Sequence, residues 1–325
     1  MTQPAPRSAE PADATPPPPA GHDPRHAVDL WQRLARRLSP LLLQPEDGPS
    51  PVAALEALAT ELQACVAADP EWAILHLVHP QAAALEDAGV LHPLQTAILM
   101  SLIARRKEWP PERARAGVLA ALTMNIAVTA LQTELKHQVA PLDEAQRARI
   151  QQHPIDSAAL LRRLGVSNPD WLAAVEQHHE QSDGKGYPAG LTEPHPLADA
   201  LRTCDVFSAK MSARADRAAM LSPRAATEIF RQRSAGYFGA TIISVLGLYP
   251  PGCLVRLASG EAAIVLARTS DPQRPEVALI TDEFGQARQQ PQRSSTGPVQ
   301  GRQVLGAISD AALEAHFPIS RLCGL

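Results

Sequence analysis

Residues 178–191 read HHEQSDGKGYPAGL, and the fold turns on how this stretch is understood. Two adjacent histidines, two acids and a Gly-x-Gly-Tyr-Pro turn fall within fourteen positions of a chain otherwise rich in Ala and Leu. Neighbouring side chains on an α-helix point about 100° apart, so His178 and His179 can meet one ion only where a helix ends or bends. The stretch supplies such an end. Asp183, Gly184 and Gly186 terminate a helix and admit backbone angles that other residues resist, and Tyr187-Pro188 stiffens the exit. Taken alone, the run is compatible with a metal site and with a surface turn.

Outward from this point the chain reads as helix. LWQRLARRLSPLLL (30–43) and VAALEALATELQACVAA (52–68) carry apolar residues at helical spacing, separated by the breaker run QPEDGPSP. HPLQTAILMSLIARRKEW (92–109) follows, stopped by Pro110 and Pro111. Further helices are predicted over 112–136, 143–164 with Asp143 as its cap, 169–180, 197–220 and 222–230. The pattern changes at YPPG (249–252). CLVRLASGEAAIVLAR and EVALITDEFGQAR have short apolar runs with Ser-Gly and Phe-Gly turns, as in β-hairpins. Residues 289–303 are polar and read as a loop, with a final strand or short helix after it. The expected class is mainly α, a helical bundle followed by a small β-rich C-terminal module. Its parts are a disordered Pro/Ala-rich leader (1–25), an accessory helical region (26–84), the main helical domain (85–248) and the β-rich module (249–325).

Composition narrows the function. A formal charge of −4 over 325 residues offers no global pull toward nucleic acid or anionic membrane, so an anionic ligand needs a local cluster. Four scattered cysteines form no Cys-x-x-Cys pair, against a zinc ribbon or redox dithiol and in keeping with a reducing cytoplasm. The uncharged run 116–133 approaches membrane-spanning length. It holds Asn125 and three threonines and lacks aromatic anchors, so it reads as a buried central helix.

HHEQSDGKGYP (178–188) resembles the signature HHExxDGxGYP of HD-GYP domains, a helical branch of the HD metal-dependent phosphohydrolases whose active members hydrolyse cyclic di-GMP. The resemblance extends over roughly 85–247. IQQHPIDSAALL (150–161) is similar to the family's His-Pro helix, RTCDVFSAKMSAR (202–214) to its aspartate segment, and LHPLQTAIL (91–99) to its first histidine helix. It implies an HD-type helical bundle, with His153, His178 and His179 converging on one metal and His92 and Asp205 serving a second. It also implies phosphate contacts at Arg214 and Arg217, and partner contacts through the loop of Gly184, Lys185, Gly186, Tyr187 and Pro188. Glu180 and Asp183 read as structural residues of the turn, and His26, His76, His79, His137 and His195 match no ligand position.

The departures matter as much. Where the family carries His-Asp-Ile-Gly-Lys, this chain aligns Met124, Asn125, Ile126, Ala127 and Val128, and Ala88 stands where some members have a further acidic ligand. A neutral Asn125 cannot bridge two cations, Met124 is a poor ligand for hard or borderline ions, and Val128 offers phosphate no charge. The expectation is a degenerate metal centre holding one Fe, Mn or Zn ion or none. The protein would then be a cytoplasmic cyclic di-GMP signalling protein, acting as a binding and interaction module with reduced or absent phosphodiesterase activity. The alternatives are a single-metal phosphodiesterase on His153, His178 and His179, and a helical scaffold that docks to other signalling proteins. No membrane or nucleic-acid partner is expected. The C-terminal module shows no chemistry and reads as a partner-binding, dimer-forming or covering piece.

Overall fold

Proline punctuates the helical region. Pro51, Pro70, Pro111, Pro169 and Pro196 each stand at the first position of a helix, where the missing N–H costs nothing and the fixed φ is already helical. In the computed structural model, which describes residues 24–47, 50–79, 88–212, 220–231, 238–299, 301–323 and 325 (positions 24–29 and 88 by backbone alone), eleven helices precede a five-stranded sheet. They are α1 (Pro24–Leu43), α2 (Pro51–Ala68), α3 (Pro70–Val78), α4 (Ala88–Arg106), α5 (Pro111–Thr123), α6 (Thr129–Lys136), α7 (Glu144–Arg163), α8 (Pro169–Gln177), α9 (Pro196–Met211), α10 (Ser222–Arg231) and α11 (Gly239–Leu246). Positions 1–23 of the expected leader lie outside the described residues.

Side-chain caps fix several starts. Asp69 accepts from Trp72 N at 2.9 Å and Asn168 from Trp171 N at 3.0 Å. Asp143 forms a reciprocal capping box with Gln146, as its place after Pro141 suggested.

The helix expected over 112–136 is broken. α5 ends at Thr123, and residues 124–128 form tight turns closed by Ile126 N to Thr123 O (3.1 Å) and Val128 N to Asn125 O (2.8 Å). The physical cause is local. Thr123 and Thr129 engage backbone carbonyls, with Thr123 Oγ1 on Leu119 O and Thr129 Oγ1 on Asn125 O, while Ile126 and Val128 lose rotamer freedom in a helix. The uncharged run 116–133 is thus two short pieces. Among the described residues, the helix long and apolar enough to cross a membrane is instead α2, which packs against α1, α3, α4 and α5 and buries Leu55, Leu58, Ala59, Leu62 and Val66.

α4 runs through the middle of the bundle, against α5 and α9 and in contact with α1, α2, α3, α6 and α11. One apolar cluster extends from Trp31 and Leu34 of α1 to Val245 and Leu246 of α11, so α1, α2 and α3 share the core of the helices that follow.

β1 (Leu254–Leu257), β2 (Ala262–Ala267), β3 (Glu276–Thr281), β4 (Ala287–Ser295) and β5 (Val304–Ala307) form an antiparallel sheet of order β4-β3-β2-β1-β5, followed by α12 (Ala311–His316) and α13 (Ile319–Leu322). The polar stretch expected as a loop from 289 is therefore strand as far as Ser295. β4 is an edge strand joined to β3 by backbone bonds, and its side chains are mostly exposed. No apolar alternation marks it, and Pro291 is tolerated there. The sheet buries both faces. Leu254, Ile264 and Ile280 pack with Leu75 of α3, Phe317, Ile319 and Leu322, and Val255, Val265, Val277 and Leu279 form the opposite cluster.

Candidate metal centre

α8 stops at Gln177, earlier than position 180, with His178 as its helical C-cap residue. The chain then folds back on itself. Gly184 takes φ +72°. Gly186 lies so close to the preceding turn that a Cβ there would sit 2.4 Å from Gln181 N and 2.5 Å from Glu180 Cα. Glu180, 2 % exposed, accepts from Ala189 N (2.6 Å) and Leu191 N (2.9 Å) and so clamps the far side of the loop. Asp183 accepts from Lys185 N at 3.1 Å. Both acids are structural, as expected. His195, outside any ligand position, caps α9 by accepting from Leu197 N.

This loop directs His178 and His179 toward His153 on α7. The three ring centroids lie 5.1 Å (153–178), 5.0 Å (153–179) and 4.1 Å (178–179) apart. One ligand nitrogen from each comes within 4.8 Å of the others, and this is the metal-capable group among the described residues.

Hydrogen bonding then fixes the tautomers. His153 Nδ1 lies 2.5 Å from Ile150 O and His178 Nδ1 lies 2.6 Å from Val175 O. A carbonyl oxygen only accepts, so each Nδ1 carries the proton and each Nε2 is left with a bare lone pair. Those two Nε2 atoms face one another at 3.1 Å. Two lone pairs at this separation repel unless a cation lies between them, and two imidazoles on one ion at roughly 2.0–2.1 Å have nitrogens roughly 3 Å apart. Burial pushes all three imidazoles down, His153 to about 3 and His179 to about 2, with their imidazole neighbours adding to the effect. They are neutral at pH 7, which is the form a metal binds. The donor set therefore fits one divalent ion.

His92 on α4 and Asp205 on α9 do not join that group. His92 Nε2 bonds Asp205 Oδ1 at 2.7 Å, and the pair is nearly buried. Burial raises the Asp205 pKa, but the His92 hydrogen bond and the surrounding imidazoles outweigh it and hold the carboxyl well below the usual range. Met124, Asn125 and Val128 are buried in the turn after α5, 0 %, 3 % and 4 % exposed. Arg214 and Arg217 lie outside the described residues.

Two neighbours escaped the sequence reading. Tyr187, read only as a loop residue, stacks on His179 with centroids 4.6 Å apart, and burial followed by the Asp205 charge raises its phenol pKa. Arg202 lies one helical turn before Asp205, half-buried among Asp199, Asp205, Asp183 and Tyr187. Its spacing from Asp205 was the one available signal. Lys185 is the exposed tip of the loop, 3.8 Å from Asp183 Oδ2.

Comparison with known proteins bears on family and fold. Residues 73–242 match the HD domain family. The chain is 28 % identical over 250 residues to the cyclic di-GMP phosphodiesterase PA4108 of Pseudomonas aeruginosa, covering 74 % of this chain and 59 % of that protein's length. Among solved structures, Bd1817, a HDG"Y"P protein from Bdellovibrio bacteriovorus, superposes with a TM-score of 0.50 at 14 % identity, over 65 % of this chain and 67 % of that one.

Proposed function

The chain belongs to the HD domain family and carries the HD-GYP signature, and from that premise we propose that it is a cyclic di-GMP signalling protein that binds the dinucleotide at a single-ion histidine centre and hydrolyses it slowly or not at all. The observation that carries this reading is the convergence of the bare Nε2 lone pairs of His153 and His178, with His179 beside them. When bound there, Fe, Mn or Zn supplies Lewis acidity toward a phosphodiester oxygen. The rest falls to the chain. His153 and His178 hold their Nε2 atoms in place through backbone carbonyls, and Tyr187 covers one face of His179. His92 and Asp205 engage each other. With Met124, Asn125 and Val128 apolar or neutral, no anionic bridge from residue 125 supports a second ion, and no ammonium at 128 meets phosphate. The loop at 184–188, in which Lys185 at the tip is the exposed residue, is assigned to partner contact.

The test is metal content, cyclic di-GMP binding and turnover on one preparation. The expected result is about one ion per chain, measurable binding and little hydrolysis with added Mn or Fe(II), with ion and binding both lost in His178→Ala. A second reading, a one-ion phosphodiesterase, is favoured by the same three imidazoles, because they leave open positions on the ion. Robust turnover that disappears in His178→Ala would establish that reading and overturn the first. A metal-free preparation that ignores the dinucleotide would exclude both and leave a docking scaffold.

A further inference from the structure

The C-terminal end of α4 closes on a residue rarely found in such a place. Lys107 N, Glu108 N and Trp109 N return to the carbonyls of Ile103 (2.9 Å), Arg105 (3.1 Å) and Ala104 (3.0 Å), and Glu108 takes φ +51°, the left-handed cap that glycine usually fills. This reversal sets Trp109 between the end of α4 and the start of α5. The Arg113 guanidinium lies over its indole, 4.8 Å from the ring centroid, and the Phe238 ring meets it at 83° with centroids 5.9 Å apart. Lys107 Nζ lies 5.9 Å from the Phe238 centroid.

These four side chains line an open cleft of about 550 Å³, within the range of small-ligand sites. Phe238 is buried, and Trp109 and Arg113 are half-buried. The cleft is also lined by Ser182 and Thr192 of the glycine loop and by the carboxylates of Glu193 and Asp199. It is not the metal centre. His92 stands near the start of α4 and Arg106 at its end, roughly 21 Å apart along the axis, and none of His92, His153, His178, His179 and Asp205 lines the cleft.

The chemistry of the lining selects an occupant. Arg113 has no hydrogen bond or ion pair among the described residues, so its forked donors are open to a phosphate. Aromatic rings and guanidinium planes stack nucleobases. An ionised carboxylate only accepts, and guanine presents its ring N–H and its amino group side by side, where adenine has a ring acceptor beside its amino group. We propose that the cleft binds a guanine mononucleotide, its base against the Trp109–Phe238 pair, its phosphate on Arg113 and Lys107, and its donor edge on Glu193 or Asp199. The site needs no ion at the imidazoles, and its occupant touches the loop that begins at His178 and His179. A free aromatic amino acid offers a ring, an anion and a donor in a smaller body and is the rival ligand.

The test uses the full chain in chelator, so that no ion at the histidines can hold phosphate, titrated by calorimetry with GMP, AMP, inorganic phosphate and free tryptophan. GMP should bind, and the other three at least about tenfold more weakly. Arg113→Gln and Trp109→Leu should each weaken GMP about tenfold or more. Arg113→Gln removes no hydrogen bond and decides the matter if Trp109→Leu does not fold. Glu193→Gln combined with Asp199→Asn should remove most of the preference for GMP over AMP. GMP binding should survive His178→Ala; its loss there would place the nucleotide at the imidazoles and overturn this inference while leaving the single-ion reading intact. Absence of GMP binding, equal affinity for GMP and AMP in the parent, an unchanged affinity in Arg113→Gln, or tryptophan binding more tightly than GMP would each overturn the proposal.

Discussion

Gly184 and Gly186 stand two residues apart in the loop after the paired histidines, and they are required for different reasons. Gly184 takes φ +72°, and its Cβ position lies 3.3 Å from a Thr192 methyl, a tight contact made with a side chain and not with backbone. Ala there should cost roughly 1–2 kcal/mol, the penalty of the left-handed region, and Asn should cost less. Gly186 has no such φ, but its Cβ would collide with the backbone of Glu180 and Gln181, which cannot yield as a flexible side chain can. Ala and Asn should both be poorly tolerated there, at about 1–3 kcal/mol, and should also weaken metal uptake because the clash displaces the turn holding His178 and His179. Urea unfolding of the four variants, with metal content measured on each, checks the contrast; equal tolerance of Asn at both positions would refute it. His153, His178 and His179, which the structure brings together, were picked out through the resemblance of their segments to the HD-GYP signature, whereas His92 and Asp205, picked out in the same way, pair with each other. The stacking of Tyr187 on His179 was not legible, because it depends on what the loop packs against, which no local pattern records.

Element boundaries follow the same logic. Starts of α7 and α8 were readable where a capping side chain or proline states them; α3, which Asp69 and Pro70 open, was not read, and the break at 124–128 lay inside an uncharged run. Periodicity continues through such a break, and only the crowding of Thr, Asn and β-branched residues hinted at it. β4 was hidden for the opposite reason, a strand whose order comes from backbone pairing at an edge and whose side chains face water. How the sheet attaches to the helices was equally invisible. Arg268, just past β2, donates from its backbone N (2.9 Å) and its guanidinium to Glu71 of α3, with Nε 3.0 Å from each carboxylate oxygen, and also to Val245 O of α11. Both side chains are about one-third exposed, so the pair is worth more than a surface bridge and less than a fully desolvated one. Arg268→Met should cost about 1.5–3 kcal/mol, the range for hydrogen bonds involving charged groups. A double-mutant cycle with Glu71→Gln reads the coupling directly, and additive losses would show that the two residues act independently.

At the scale of the whole molecule, α3 belongs to two cores. Ala73, Ile74 and Leu77 lie in the helical cluster, while Leu75 lies in the cluster of the sheet with Leu254, Ile264 and Phe317. Gly252 closes the junction, its Cβ position 2.8 Å from Leu75 O and 2.9 Å from His79 N. Helices and sheet should therefore unfold together, and two buried histidines on this shared segment make the event pH-sensitive. His76 lies against Trp31 and Trp72 with centroids 5.5 and 5.3 Å away, and burial, aided by nearby His79, pushes it down to about 3. Burial pushes His79 to about 4, opposed in part by the Phe317 backbone. Unfolded, both titrate near 6.5. Above that pH neither state carries these protons and the two groups leave stability unchanged. Between 6.5 and about 4 the unfolded chain binds protons that the folded chain refuses, so acidification draws the protein toward unfolding, and below about 3 both states are protonated and the loss from these groups ends. Each pKa unit corresponds to about 1.4 kcal/mol, so the combined loss is several kcal/mol across that window. His76→Leu should keep stability near pH 8, because the imidazole Nε2 has no hydrogen-bond partner among the described residues, and should flatten the acid limb. Urea midpoints of metal-free protein measured from pH 8 to pH 4 give the comparison. A His76→Leu profile that falls as steeply as the parent's would mean that this imidazole is not held neutral between the two cores.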